Sequence, residues 1–150
     1  MKIFIGSDHR GYNLKESLRA KLLKEGYEVI DMGGTGDPAD DYPDFASNVG
    51  EAVSQESEAR GILICGSGVG VSIVANKFKS VRASLIFDPK QGHDSRADED
   101  PNVLVLSADY TPENKAHEIV DVWLTTPFSG AERHVRRVGK IAAIEKKTMK

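Results

Sequence analysis

The feature that most limits the fold is a set of short segments that are apolar nearly throughout rather than at alternate positions. Ile3-Phe4-Ile5, Gly61-Ile62-Leu63-Ile64-Cys65, Ala83-Ser84-Leu85-Ile86-Phe87 and Val103-Leu104-Val105-Leu106 are of this kind, and Glu28-Val29-Ile30 is a shorter one. A strand with one wet face alternates, whereas a strand without alternation is buried on both faces. The stretches between them carry helical spacing. Leu14, Leu18 and Leu22 share one face of a helix that Gly26 ends. Pro43 opens a helix bearing Phe45, Val49 and Val53, and a helix after Gly70 is predicted to turn Val69, Ile73 and Val74 inward. Thr111-Pro112 starts a helix with Ala116, Ile119, Val120, Trp123 and Leu124 in one stripe. A last helix is predicted over about 131–147, with Val135, Val138 and Ala142 on one side. Strands alternating with helices predict an α/β fold, a three-layer αβα sandwich on a Rossmann-like five-stranded parallel sheet, as one domain over residues 1–150.

Composition narrows the class. The chain is 39% apolar and 29% charged over 150 residues, which suits one globular domain. Its net charge of −3 lacks the basic footprint that non-specific nucleic-acid binding needs. No apolar run approaches the roughly 20 residues of a membrane span. The opening Met1-Lys2-Ile3-Phe4-Ile5-Gly6 is too short and too soon polar for a secretory leader, so the cytoplasm is the expected location. The single cysteine allows no internal disulfide and no multi-cysteine metal site. Charge is uneven: Asp31–Glu58 holds eight acidic residues and no basic ones, while Glu132–Lys150 holds seven Lys/Arg against two Glu. The basic end fits an anion site or an acidic face of another subunit; a solvated helix is the ordinary alternative.

In a doubly covered parallel sheet the site lies at the carboxyl ends of the strands. That selects Ser7-Asp8-His9, Cys65-Gly66-Ser67, Asp88 and Ser107-Ala108-Asp109. Cys65 is followed by the loop Gly66-Ser67-Gly68-Val69-Gly70, where glycines expose backbone N–H groups at the start of a helix. Such a field favours a thiolate, although a buried cysteine is as often packing. The loop is not a dinucleotide fingerprint, which would need Gly at Val71, nor a nucleophile elbow, which would need Gly at Cys65. No lysine is placed for a P-loop. Asp8 suits a helix cap as well as a substrate contact. Arg133 and Arg137 stand one helical turn apart and could grip a phosphate.

These residues carry a resemblance. Gly6-Ser7-Asp8-His9-Arg10-Gly11, Asp41-Tyr42-Pro43, the block from Gly61 to Ile73 with Ala75-Asn76-Lys77, Asn102-Val103-Leu104, and Arg133-His134 with Arg137 resemble the ribose-5-phosphate isomerase B family, which includes the galactose-6-phosphate isomerase subunits. The resemblance implies an aldose–ketose isomerase of sugar phosphates, most simply ribose 5-phosphate to ribulose 5-phosphate. It implies no metal and no organic cofactor. It also implies a homodimer or dimer of dimers whose sites are shared between subunits. By resemblance Cys65 is the base that moves a proton between C1 and C2. Ser67 and the amides of Gly66, Gly68, Val69 and Gly70 hold the enediolate oxygen. Asp8 and Tyr42 contact sugar hydroxyls, and His9, Arg133 and Arg137 bind phosphate.

Three positions in two places depart from the pattern. The family's R-x-H-N stretch, whose histidine opens the sugar ring, reads Arg96-Ala97-Asp98-Glu99 here. Asp98 therefore stands as the candidate ring-opening group and Glu99 as a substrate contact. A phosphate-binding arginine of the family aligns with Asp109, whose carboxylate is expected to repel phosphate if it faces the site. An aldose phosphate of four carbons has no free O4 for a furanose and would not need ring opening. A tetrose phosphate or an unphosphorylated sugar is thus the alternative substrate, and a non-catalytic sugar-phosphate-binding protein the alternative of another class.

Overall fold

The computed structural model describes residues 1–150. Five strands form one parallel sheet: β1 (Lys2–Ser7), β2 (Glu28–Asp31), β3 (Arg60–Cys65), β4 (Ala83–Leu85) and β5 (Val103–Ser107). Their spatial order is β2-β1-β3-β5-β4. Six α-helices connect and cover them: α1 (Tyr12–Lys24), α2 (Tyr42–Gln55), α3 (Val69–Ala75), α4 (Pro89–Glu99), α5 (Glu113–Thr125) and α6 (Glu132–Thr148). A single 3-10 turn, His9–Gly11, joins β1 to α1. No helix is long and apolar enough to cross a membrane.

The non-alternating strands are buried on both faces, as the parallel sheet requires. Ile3, Ile5, Ile62, Ile64, Leu104 and Leu106 point to one side, where they pack with Leu18 and Leu22 of α1 and Ala116, Ile119, Val120 and Trp123 of α5. The residues between them, Phe4, Leu63, Cys65, Val103 and Val105, point to the other side, against Ala46, Val49 and Val53 of α2 and Val71 and Ala75 of α3. Side chains of successive strand residues alternate between faces, so the period of two assigns Cys65 to the α2/α3 layer.

Three expectations change. The inward face of α3 is Val71 and Ala75, not Val69 and Ile73, which are 52% and 57% exposed, while Val74 is only partly buried. Both rows are apolar at i, i+4, so the sequence offers two equivalent stripes. The fold selects one through Gly68, whose φ of +81° sets the direction in which the helix starts. β4 stops at Leu85 rather than Phe87. The Phe87 amide instead donates to Gln91 Oε1 at 2.7 Å, and Asp88 caps α4 through the Gln91 amide at 2.9 Å. Finally, α6 packs against α4 but buries only His134; its apolar side chains Val135, Ile141 and Ile144 stay exposed.

Candidate functional site

The chain runs outward along β1 and returns to the sheet on either side of it, so the connections diverge between β1 and β3. This opens a crevice at their carboxyl ends. Register places Ser7 beside Ile64, and Cys65 beside Ser107.

Asp8 follows β1 and caps the 3-10 turn, accepting from the amides of Arg10 at 3.0 Å and Gly11 at 3.1 Å. The turn lies directly on β3: a Cβ at Gly11 would fall 2.7 Å from Ile64 Cγ2 and 2.8 Å from Ile64 O. This close approach sets His9 beside the end of β3. The His9 ring is fixed by Asp40, whose Oδ1 meets Nδ1 at 2.7 Å and accepts the His9 amide at 3.1 Å. The backbone below is held by Lys15, which is fully buried. Its ammonium donates to Asp31 Oδ1 at 2.9 Å and to the carbonyls of Gly33 at 3.0 Å and Gly34 at 2.7 Å.

Cys65 ends β3 and is 4% exposed. The Gly68 amide donates to its Sγ at 3.1 Å, and the Val69 amide donates to Ser67 Oγ at 3.2 Å. Those two N–H groups are therefore directed to side chains of the loop itself, whereas the resemblance assigned them to the enediolate oxygen. The loop is tied to β5: the Ala108 amide donates to Cys65 O at 2.9 Å, the Asp109 amide to Gly66 O at 3.0 Å, and Ser107 Oγ to Gly66 O at 2.6 Å. The Tyr42 ring lies over Gly70, where an added Cβ would sit 2.5 Å from Cε2 and 3.0 Å from the hydroxyl.

Asp109, expected to repel phosphate if it faces the site, is itself paired. Its carboxylate is engaged by Arg10 Nη2, and the Arg10 guanidinium lies against Gly66, with Cζ 2.3 Å from where a Cβ there would be. Arg10 and Asp40 are the two site residues that reading along the chain missed. Each acts through a partner 99 or 31 residues away, and no local spacing signals such pairs.

The remaining candidates form a second group. Asp98 Oδ1 lies 3.4 Å from Nε2 of His134, which is buried and whose Nδ1 meets Ser129 Oγ at 2.8 Å. Asp98 and Glu99 line an open cavity of about 540 Å³ with Ser84, Asp88 and Asp94. Arg96 anchors this turn: its guanidinium donates to Asp100 Oδ1 at 2.9 Å and to Thr126 O at 3.3 Å, and sits 5.3 Å from the Trp123 ring centroid. Burial lowers the pKa of Arg96 from its ordinary value. Arg133 and Arg137 are exposed on α6 and pair with no carboxylate. Asp8, His9, Tyr42, Cys65–Gly70 and Asp109 thus gather at the ends of β1, β3 and β5. No hydrogen bond or ion pair joins them to Asp98, Glu99, Arg133 or Arg137.

This arrangement has known relatives. The sequence profile described as Ribose/Galactose Isomerase matches residues 3–141. Ribose-5-phosphate isomerase B of Escherichia coli K12 is 43% identical over 146 residues, covering 97% of this chain and 97% of that one. A putative sugar phosphate isomerase of Bacillus subtilis is 40% identical over 150 residues, covering 99% of this chain and all of the relative, at 100%. Among solved structures, ribose-5-phosphate isomerase B of Clostridium thermocellum superposes with a TM-score of 0.93 at 49% identity, covering 98% of this chain and 99% of that one. The Mycoplasma genitalium enzyme with bound ribulose-5-phosphate gives 0.95 at 42%, covering 98% and 97%.

Proposed function

The chain belongs to the ribose/galactose isomerase family, and on that premise we propose that it interconverts ribose 5-phosphate and ribulose 5-phosphate through an enediolate. The observation that carries the reading is the Gly68 N–H directed at Cys65 Sγ at 3.1 Å, in a cysteine buried at a strand end. That contact fixes the sulfur at the head of the glycine loop. The Cys65 thiolate takes the proton from C2 of the open aldose. The C2–H electrons form the C1–C2 double bond, and the carbonyl oxygen takes the charge. The C2 hydroxyl then passes its proton to O1, and the C1–C2 electrons take the proton back from Cys65 at C1 as the C2 carbonyl forms. Ser67 and the amides of Gly66 and Gly70, which no loop side chain takes up, hold the developing oxyanion, where preorganised donors stabilise it most. Asp8 and Tyr42 orient the hydroxyls, and His9, held by Asp40, contributes to phosphate binding.

Residues 1–150 act as one isomerase unit, and the working form is a homodimer. Three features support the dimer. Arg133 and Arg137 stand apart from the Cys65 group and unpaired. The helix that bears them buries one residue on its own chain. Val69, Ile73, Val135 and Ile144 are left uncovered. In this arrangement α6 of one protomer brings its two arginines to the partner's cysteine loop. A tetrose phosphate is the second reading, favoured by the Asp98 carboxylate in place of a ring-opening donor. Incubation with ribose 5-phosphate in deuterium oxide tests the chemistry. Deuterium is expected at C1 of the ketose. Ketose formed without exchange in either direction, or no ketose at all, would remove the proton-transfer reading.

A further inference from the structure

Of the residues at the carboxyl ends of β1, β3 and β5, from Ser7 to Gly11, Cys65 to Gly70 and Ser107 to Thr111, Arg10 carries the one permanent positive charge. Its guanidinium is held on both sides. Asp109 engages Nη2, and Gly66 provides a surface without a side chain, where a Cβ would be only 2.5 Å from Nη1 and 2.6 Å from Nε. Asp109 is the only protein acceptor that the Arg10 guanidinium meets, and it meets one terminal nitrogen. A guanidinium has five N–H donors in a planar fork, so most of them have no protein acceptor.

Arg10 also lines an open cavity of about 240 Å³, together with Asn13, Leu14, Ala108, Thr111 and Glu113. That is room for a phosphate group with a few waters, at about 30 Å³ per water. Thr111 is 4% exposed, and its hydroxyl has no hydrogen-bond partner. A buried hydroxyl without a partner is costly and uncommon. The Glu113 carboxylate, the one acid of this lining, accepts from Ser17 Oγ at 2.6 Å.

We infer that Arg10, with Thr111, forms an anion seat for the phosphate monoester end of the substrate, and that Asp109 is the positioning residue that holds the arginine there. The inference rests on the sugar-phosphate reading above and deepens it. Arg10 approaches the phosphate from the protomer that supplies Cys65, while Arg133 and Arg137 arrive from the partner. Asp109 uses one N–H and leaves the fork; phosphate accepts from the fork, and from the Thr111 hydroxyl once it turns about χ1 from its buried position. The carboxylate at position 109 thereby serves phosphate binding through its arginine.

Inorganic phosphate is the probe, titrated calorimetrically into the full-length protein and used as a competitive inhibitor of ribose 5-phosphate turnover. Arg10→Ala is expected to weaken phosphate at least tenfold and to raise KM by a similar factor, with kcat changed less. Arg10→Lys keeps the charge and loses the fork, and is expected to fall between; it carries the test if the alanine variant fails to fold. Thr111→Val is expected to weaken phosphate about threefold while raising Tm, because it removes a buried hydroxyl without a partner. Phosphate affinity within about twofold of the parent in folded Arg10 variants overturns the inference. So does a Thr111→Val variant that loses stability, which would mark the hydroxyl as structural. A parent that binds phosphate through Arg10 yet leaves ribose 5-phosphate unchanged upholds the seat and removes the isomerase reading. Turnover with a KM independent of Arg10 does the reverse.

Discussion

At the ends of β1, β3 and β5, side chains and backbone are tied to one another at short range: Asp8 to two amides, His9 to Asp40, Cys65 to Gly68, and the loop carbonyls to β5. On α6 the pattern is reversed. Seventeen residues bury one, the histidine that meets Asp98, and the two arginines reach into solvent. The first region is preformed by the sheet, since strand register fixes where each side chain emerges. The second presents charge and apolar surface without a partner on its own chain. The contrast fits the proposed division of labour, in which the core of one protomer builds the proton-transfer site and assembly delivers the remaining phosphate grip.

The largest effect should come from the preformed region. Cys65→Ala is expected to lower turnover by about 10²–10⁴-fold, the usual contribution of a general base. The far-UV spectrum and Tm should change little, because the side chain is small and sits at a strand end. Near-normal turnover in the folded variant would place the base elsewhere. The comparison sharpens if Cys65→Ala and Arg137→Ala are mixed and refolded together. In a symmetric dimer with shared sites, half of the assemblies are hybrids with one intact site. Assayed well below KM, where both variants are nearly inactive alone, the mixture is then expected to show about a quarter of the parent's activity. No recovery on mixing would confine the whole site to one chain.

Next in size is Arg133→Ala or Arg137→Ala alone. Each should raise KM for a phosphorylated sugar by roughly 10–100-fold, the worth of a charge-assisted hydrogen bond, and leave any unphosphorylated sugar nearly unaffected. Equal losses on both substrate types would assign these arginines to structure. Asp40→Asn should cost less, about tenfold in kcat/KM, because the amide oxygen can still meet His9 Nδ1 but is a weaker acceptor than a carboxylate. If the loss of Asp40 changes Tm and not kcat/KM, its role is to hold the loop rather than the ring.

Much of this was written in local pattern. β1, β3 and β5 follow from runs without alternation, and α1, α2 and α5 from apolar residues at i, i+3 and i+4, because burial on two faces or one leaves different periods. The strand-end rule then located Asp8, Cys65 and Asp109. What failed was whatever local pattern leaves degenerate. α3 has seven residues, fewer than two full turns need, so Val69/Ile73 and Val71/Ala75 were equally good inner faces. Arg10 was visible as a residue, but its pairing with Asp109 joins β1 to β5 across the intervening β3. Only the sheet order creates that neighbour, so Asp109 read alone looked like a repulsive charge.

The smallest effect belongs to Asp98, and it bears on which substrate the assembled site prefers. Opening a furanose requires a proton to leave the anomeric hydroxyl and another to reach the ring oxygen. A carboxylate at neutral pH accepts readily and donates poorly, while an imidazole near its ordinary pKa does both. Asp98 Oδ1 lies 3.4 Å from His134 Nε2, so its acceptor is already directed at a ring on its own chain. Asp98→His is expected to raise turnover of ribose 5-phosphate by roughly threefold, less than the usual 10²-fold or more of an acid–base group because ring opening also proceeds without catalysis. A tetrose phosphate, which presents no such ring, should gain nothing. Equal gains on both sugars would show that residue 98 acts on the proton transfer at C1 and C2. A fall on ribose 5-phosphate alone would show that the carboxylate is the ring-opening base in this chain and that His134 completes it.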